Sequence, residues 1–420
     1  MRRSGGHDGT VEFETTAPSP DALAHEPDRP TRDALDHDAA AQVVAAEVVL
    51  PCPDLDATVR FFVEGLGFRV ELVSPAEDPR ITVVSGHGAR LRLERDASGD
   101  PGTVRVSCRA PQAIAAGALE VVAPNGTRVV FAAADPPYVL PSLAPSSVVT
   151  RLGDDPHFGV GRAGMGYRDL IPDRQGGRFI ASHIRIAEAG PVPDYVHHHV
   201  IRFQMIYCAR GWVRVVYEDQ GEPFVLHAGD CVLQPPRIRH RVLEASAGLE
   251  VVEIGCPARH DTIADHDLAL PTGVTDPDRD FGGQRFVRHQ ASTAVWMPWR
   301  VPGLECRDLG IGAATGGLAG ARVARPIRGR SAADSPDRAA AHHQAELVFA
   351  FVLDGSLSLR RGGELDVLRA GDSVVVPAGL DVALEGWTDD LELLEVTLPD
   401  DVAWRATPSG SGPPASAWSA

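Results

Sequence analysis

A cluster of histidines near the middle of the chain is the clearest sign of chemistry in the sequence. His197 and His199 are separated by one residue, so on a β-strand both imidazoles project to the same face of the sheet. His240 lies on a later segment that opens with a Gly-Asp turn and the rigid Pro235–Pro236 pair. Two neighbouring strands can therefore aim three imidazoles at one point, which predicts a divalent metal site rather than a structural histidine cluster.

An amide follows the histidine pair and is the fourth predicted ligand. The side chain of Gln204 coordinates through a neutral oxygen and cannot act as a base. Neutral ligands leave the ion strongly positive and with an exchangeable position, which suits an anionic or chelating substrate, or O2 on iron. Chemistry that needs a carboxylate base requires another acid, for which Glu244 and Glu253 are candidates.

Residues around these ligands predict a substrate pocket. If strand alternation continues from Gln204, its next neighbours on the same face point into the pocket, as does the residue two positions after His240. Two polar side chains on the flanking segments are further candidates for substrate contact. The predicted substrate-binding residues are Arg202, Ile206, Cys208, Gln234 and Val242.

A second segment repeats the first in the same order. The run YRDL at 167–170 recurs as CRDL at 306–309, and HAGDCVLQPP recurs as RAGDSVVVPA. Self-similarity at an offset of about 140 residues indicates a duplicated β-barrel domain. The positions equivalent to the four ligands are Ala341, His343, Val348 and Val382. One surviving histidine cannot hold a metal ion, so the second copy is predicted to be a structural partner of the first.

The two motifs resemble those of the cupin superfamily, and the pair of copies resembles a bicupin. The first family motif is a Gly, an HxH pair, a Glu and a closing Gly, and here Gln204 stands in place of the Glu. In the second motif Gly229, Pro235 and His240 fall at the family spacing, whereas Arg237 replaces a Gly.

The cupin resemblance implies two small jelly-roll barrels with one divalent ion inside the first. The ion would be Fe(II) by preference, with Mn, Ni, Zn or Cu as alternatives. Its ligands would be His197, His199, Gln204 and His240.

The first folded segment has a different pattern. A strand-like run, EVVLPCP, precedes a helix that Asp54 can cap and that Gly65 and Gly67 can end, and several strand-like runs follow. This βαβββ order, with the terminal APNGTRVVFA hairpin, resembles one module of the vicinal oxygen chelate fold of glyoxalases and extradiol dioxygenases.

The vicinal oxygen chelate resemblance places metal ligands at Glu47 and Val130. Valine cannot ligate a metal, so the module is predicted to bind none. A single module also needs a partner surface, which predicts homodimerisation or packing on the bicupin. An accessory or dimerisation role is favoured over binding of an apolar small molecule.

Composition breaks set the expected domain organisation. The predicted fold class is mainly β: two tandem cupin jelly-roll barrels preceded by one α+β βαβββ module. The predicted segments are a disordered tail (1–41), the βαβββ module (42–133), a linker (134–160), the metal-binding first barrel (161–270), a linker (271–295), the second barrel (296–399) and a disordered tail (400–420).

Charge and hydropathy exclude several classes of partner. With 40 Lys plus Arg against 57 Asp plus Glu, the net charge of -17 disfavours nucleic acid and anionic membranes. The chain has no long apolar run and no secretion signal, which predicts a cytoplasmic protein. A small molecule is the expected partner.

These features favour a metal-dependent enzyme acting on a small organic molecule, specifically an iron-dependent dioxygenase. A non-catalytic bicupin that binds or senses a metabolite is the alternative from a different class. A metal-dependent isomerase or lyase is a third hypothesis, which differs from the first in needing no O2.

Overall fold

The structure is a computed structural model that describes residues 42–329 and 339–407. The predicted tail 1–41 and residues 408–420 of the other predicted tail lie outside the described residues. The chain forms two units, Met1–Pro136 and Pro137–Ala420. Among the helices of the described segments, none has the length and apolar character needed to cross a membrane.

The first unit begins with the predicted βαβββ element. Its sheet has the order β1-β4-β3-β2, with β1 parallel to β4. The helix begins where predicted, because the Asp54 side chain accepts a hydrogen bond from the Ala57 N–H at 3.1 Å. The elements are β1 (Val48–Pro51), α1 (Leu55–Arg60), β2 (Arg69–Ser74), β3 (Ile81–Gly86) and β4 (Ala89–Glu94).

A second, smaller sheet completes this unit. Its strands are β5 (Thr103–Cys108), β6 (Glu120–Val122) and β7 (Arg128–Ala133). Strand β5 runs parallel to β7, as β1 does to β4. Short 3-10 turns follow β5, in the place that the helix α1 has after β1. Phe62 of the first half packs in one core with Val129 and Phe131 of the second. The sequence interpretation assigned all these strands to one module, whereas the second sheet supplies a packing surface within the same unit.

The second unit consists almost entirely of strands. Its first half contains β8 (Val148–Thr150), β9 (Gly159–Val160), β10 (Gly166–Asp169), α2 (Arg174–Gly177), β11 (Ile180–Ile186), β12 (Gly190–Pro191), β13 (His197–His199), β14 (Phe203–Arg210), β15 (Trp212–Tyr217), β16 (Phe224–His227), β17 (Cys231–Leu233), β18 (His240–Ala245), β19 (Leu249–Cys256), β20 (Thr262–Ala264) and β21 (Val287–His289). Its second half contains β22 (Met297–Pro298), β23 (Leu304–Asp308), α3 (Ile311–Ala314), β24 (Gly320–Pro326), β25 (Ala341–His342), β26 (Leu347–Asp354), β27 (Ser356–Arg361), β28 (Glu364–Arg369), β29 (Ser373–Val375), β30 (Val382–Trp387), β31 (Glu392–Leu398) and β32 (Arg405–Ala406).

These strands build two jelly-roll barrels of two sheets each. The first barrel has the strand orders β21-β17-β14-β19-β11-β10-β9 and β16-β15-β18-β13-β20. The second has β8-β29-β26-β31-β24-β23-β22 and β28-β27-β30-β25-β32, which matches the first strand for strand. The fold is therefore mainly β, with two tandem jelly-roll barrels after one α+β module.

The two barrels exchange their outermost strands. Strand β8, from the predicted linker before the first barrel, pairs with β29 of the second barrel. Strand β21, from the predicted linker between the barrels, pairs with β17 of the first. In the predicted C-terminal tail, β32 pairs with β25. The barrels thus extend into short segments whose Pro-rich and Gly-rich composition is typical of linkers.

Candidate metal centre

The three predicted histidine ligands meet inside the first barrel. Strands β13 and β18 pair antiparallel with His197 directly opposite His240, and His199 is two residues along β13. Ligand atoms of the three imidazoles all lie within 4.8 Å of one another. His197 and His240 are buried, so the cluster faces the barrel interior.

Hydrogen bonds orient all three rings in the same way. Each Nδ1 lies near a protein oxygen: His197 Nδ1 to the Tyr195 carbonyl at 2.8 Å, His240 Nδ1 to the Ile238 carbonyl at 3.0 Å, and His199 Nδ1 to the Thr262 hydroxyl at 2.9 Å. The Nε2 atoms remain for a ligand, and His197 Nε2 is buried without any partner in the described residues. Buried polar atoms are nearly always satisfied, so this set fits a metal ion bound through Nε2.

The histidines are held in the neutral form that metal binding requires. Burial lowers the pKa of His197. Burial, reinforced by the neighbouring imidazoles, lowers the pKa of His199 and of His240 well below the usual range. Their lone pairs are therefore available at neutral pH.

The turn that leads to His240 has glycine-like geometry although it contains an arginine. Arg237 has φ of 65°, in the left-handed region that favours glycine. Its backbone N–H donates to the His199 carbonyl at 3.0 Å, which ties the two ligand segments together. The counterpart Gly379 has φ of 79°, and its N–H donates to the His343 carbonyl at 2.8 Å.

Gln204 lies on β14 and lines the same cavity as His199 and His240. Its Nε2 donates to the Glu253 carboxylate at 2.7 Å, so its Oε1 is the atom left to face a ligand. Of the two candidate acids, Glu253 lines the cavity, whereas Glu244 pairs with Arg214 at 3.2 Å on the outside. No ion pair joins Glu253 to a cation among the described residues.

The cavity beside the histidines has a volume of about 370 Å³ and is mainly apolar. Its walls include Ile184, Ile206, Val213, Val215, Leu226 and Val242. Tyr217 also lines it and stacks on His240 with ring centroids 5.4 Å apart. Burial raises the pKa of Tyr217, so its hydroxyl stays protonated and can donate a hydrogen bond.

A fourth histidine at the cavity was missed in the sequence. The ring of His260 lies 5.3 Å from that of His199, and its Nδ1 is 3.0 Å from the Pro257 carbonyl. It follows β19 outside both motifs, so no spacing rule pointed to it. In the second barrel the ring of Trp404 lies 5.0 Å from that of His343.

The predicted substrate residues divide into two groups. Ile206, Gln234 and Val242 line the cavity. Arg202 does not line it, because its guanidinium pairs with Glu346 of the second barrel at 3.2 Å. Cys208 does not line it either.

Cys208 lies just before a bulge in β14, where the register with β19 shifts. Its fully buried thiol packs in the apolar interior behind the cavity walls. Burial raises the pKa of Cys208 to about 12, so the thiol stays protonated.

The second barrel has the register of the first without its ligands. Ala341 pairs opposite Val382, as His197 does opposite His240. Both ring nitrogens of His343 are engaged: Nδ1 accepts from the Ala345 N–H at 3.0 Å, and Nε2 lies 3.1 Å from the Val376 carbonyl. This histidine has a structural role.

Glu47, the predicted ligand position in the first unit, is engaged by two arginines. The Glu47 carboxylate pairs with Arg90 at 2.7 Å and lies 3.7 Å from Arg92. Val130 lies on β7 and offers no ligand atom.

Among known proteins, the chain is similar to several solved structures at low sequence identity. No family model matches the chain, and no curated protein matches it. A salicylate 1,2-dioxygenase variant from Pseudoaminobacter salicylatoxidans, in complex with gentisate, is 13% identical, covering 65% of this chain and 88% of that one at a TM-score of 0.45. A variant of Bacillus subtilis oxalate decarboxylase is 13% identical, covering 64% and 80% at a TM-score of 0.45. The E. coli protein Ylba is 11% identical, covering 61% and 93% at a TM-score of 0.44.

Proposed function

We propose that the first barrel is the active site of a metal-dependent enzyme acting on a small organic molecule, specifically an Fe(II)-dependent dioxygenase. The main support is the cluster of His197, His199 and His240 beside an apolar cavity. Their Nε2 atoms are left for a ligand, and that of His197 is buried without a partner among the described residues. Neutral nitrogen ligands with an adjacent cavity leave coordination positions for a second and third reactant.

The residues of the first barrel have distinct roles in this proposal. His197, His199 and His240 would hold the ion, with the Gln204 oxygen as a fourth, weaker ligand. Bound Fe(II) would supply Lewis-acid and oxygen chemistry at the open positions. The apolar walls exclude water and take the hydrocarbon part of the substrate.

Glu253 is the proton acceptor in this proposal. Its carboxylate lies beside the ligand position, and the Gln204 amide N–H holds one of its oxygens. A substrate hydroxyl that binds in the cavity would transfer its proton to the other oxygen. Tyr217 would donate a hydrogen bond to a substrate oxygen.

Metal analysis of the purified protein tests the proposal. Wild type should contain about one ion per chain, and His240→Ala should lose it. His198→Ala is the matched control: His198 is the middle residue of β13 and points to the opposite face, so this variant should keep the ion.

Oxygen uptake by Fe(II)-loaded protein with catechol, enol and thiol substrates tests the reaction. Background uptake throughout would exclude the dioxygenase.

A sensing bicupin is the second candidate, favoured by the Gln204 amide and by Ala341, Val348 and Val382 at the equivalent positions of the second barrel. It predicts that metal-free wild type binds its small molecule as well as the loaded protein does. A metal-dependent isomerase or lyase would instead turn over its substrate without O2.

For the first unit, we propose an accessory module of the vicinal oxygen chelate type that binds no metal. The parallel pairing of β1 with β4 and of β5 with β7 supports this proposal, as does the engagement of Glu47 by arginines.

A further inference from the structure

A cavity of about 160 Å³ lies in the second barrel where the first barrel has its histidines. Ala341 and Val382, the register counterparts of His197 and His240, form part of its wall. A protein cavity of about 150 Å³ accommodates benzene, so this space has the size of one small ring. The side chains at these two positions are small and apolar, and the cavity lies beside them.

The cavity contains an unused hydrogen-bond donor. The Trp387 ring lines the cavity, and its Nε1 is buried without a partner among the described residues. An indole N–H can only donate, so a buried one calls for an acceptor. Trp404 and Leu384 add further aromatic and apolar surface to the wall.

The cavity also contains the guanidinium of Arg300, which is paired with one carboxylate. The Arg300 guanidinium lies 4.0 Å from the Trp299 ring centroid and 4.5 Å from that of Trp404, and one of its nitrogens pairs with Glu395. A guanidinium has five N–H groups in a rigid fork, so the pair with Glu395 leaves others for a ligand. Among the described residues, the side chains that line the cavity thus offer donors and no acceptor.

We propose that this cavity is a binding site for a small aromatic monocarboxylate. The ring would occupy the space between Trp404 and the Val382 and Leu384 side chains. The carboxylate would accept hydrogen bonds from Trp387 Nε1 and from Arg300. The site needs no metal ion and does not rest on the function proposed for the first barrel.

Titration calorimetry of the full-length protein with benzoate tests this site. Wild type should bind benzoate saturably, and neutral benzamide should bind more weakly. Trp387→Phe keeps the ring and removes the N–H, so it should weaken benzoate binding by about tenfold or more. Trp212→Phe, at a tryptophan outside this cavity, should leave binding unchanged.

A second variant fills the space itself. Ala341→Leu should abolish benzoate binding, and thermal unfolding of both variants would show that the fold is kept. Absence of saturable binding by wild type would overturn the proposal. Binding that neither Trp387→Phe nor Ala341→Leu changes would place benzoate elsewhere, for example in the first barrel, and would overturn it equally.

Discussion

Single residues decide what each barrel can do. In the first barrel, Gln204 places a neutral amide at the cavity, and Glu253 on the adjacent strand supplies a carboxylate at the same cavity. In the second barrel the equivalent acid, Glu395, is neutralised by Arg300. The two barrels therefore differ in chemistry although their sheets have the same strand order.

Glu253→Gln tests the assigned proton acceptor. The amide cannot accept a proton, so turnover should fall by about 100-fold or more while metal content stays at the wild-type level. Glu244→Gln is the control, since that acid pairs with Arg214 away from the cavity, and it should keep wild-type turnover. The measurement is steady-state kinetics with parallel metal analysis. Loss of metal in Glu253→Gln would show instead that Glu253 is a ligand.

Buried neutral histidines outside the metal centre predict acid sensitivity. Burial lowers the pKa of both His183 and His343. The unfolded chain takes up protons on these groups below the usual histidine pKa of about 6.5, whereas the folded chain does so only at lower pH. The free energy of unfolding should therefore decrease as the pH falls below about 6.5.

The comparison of wild type with His343→Gln isolates one such group. Urea unfolding measured between about pH 7.5 and pH 5.5 should give a shallower loss of stability for the variant, because one titrating group has been removed. Equal slopes for the two proteins would contradict the assignment of His343 as a buried neutral histidine.

At the scale of elements, short exchanged strands complete the barrels. Strand β8 has three residues and pairs with β29, and Val149 packs against the core of the second barrel. Composition marks this stretch as a linker because prolines precede it, yet its few residues supply a sheet edge. Such pairing has no local signature, since the partner strand lies more than 200 residues away in the chain.

Val149→Asp should therefore destabilise the second barrel. A carboxylate placed against the core is poorly solvated, which should lower the free energy of unfolding by roughly 1–3 kcal/mol. Val160→Asp on β9 is the matched control: Val160 is 85% exposed, so its replacement should change stability by no more than about 0.5 kcal/mol. Chemical denaturation of both variants makes the comparison, and equal stabilities would mean that β8 does not support the barrel.

At the scale of the molecule, a reciprocal pair of buried arginines joins the two barrels. Arg168 of the first donates to the Gly371 carbonyl of the second. Arg307 of the second donates to the Gly229 carbonyl of the first at 3.0 Å and to the Tyr207 hydroxyl at 2.9 Å. Apolar side chains from both barrels form one core around them. The barrels are thus built as a single unit.

Arg307→Ala should uncouple this interface. It leaves the Gly229 carbonyl and the Tyr207 hydroxyl without their donor, so the free energy of unfolding should drop by roughly 2–4 kcal/mol. Arg285→Ala removes an exposed ion pair with Asp278 and should cost about 0–1 kcal/mol. Denaturant unfolding compares the two. An Arg307→Ala protein as stable as Arg285→Ala would contradict a structural role for the buried arginine.

The sequence by itself determined the repeated barrels, the helix capped by Asp54 and the convergence of His197, His199 and His240. These features follow from local rules: strand alternation, capping, and turn residues at fixed spacing. It also indicated that Ala341 and Val382 are the counterparts of two ligands, because the repeat kept its order.

Only the tertiary structure decided which side chains share the cavity. Gln204 and Glu253 are joined by a hydrogen bond across paired strands, His260 lines the cavity from outside both motifs, and Arg202 pairs with Glu346. The exchange of strands between the barrels and the second sheet of the first unit were likewise shown only by the tertiary structure. Each depends on a contact between segments distant in the chain, and a periodic pattern shows which face a residue occupies but not what lies opposite it.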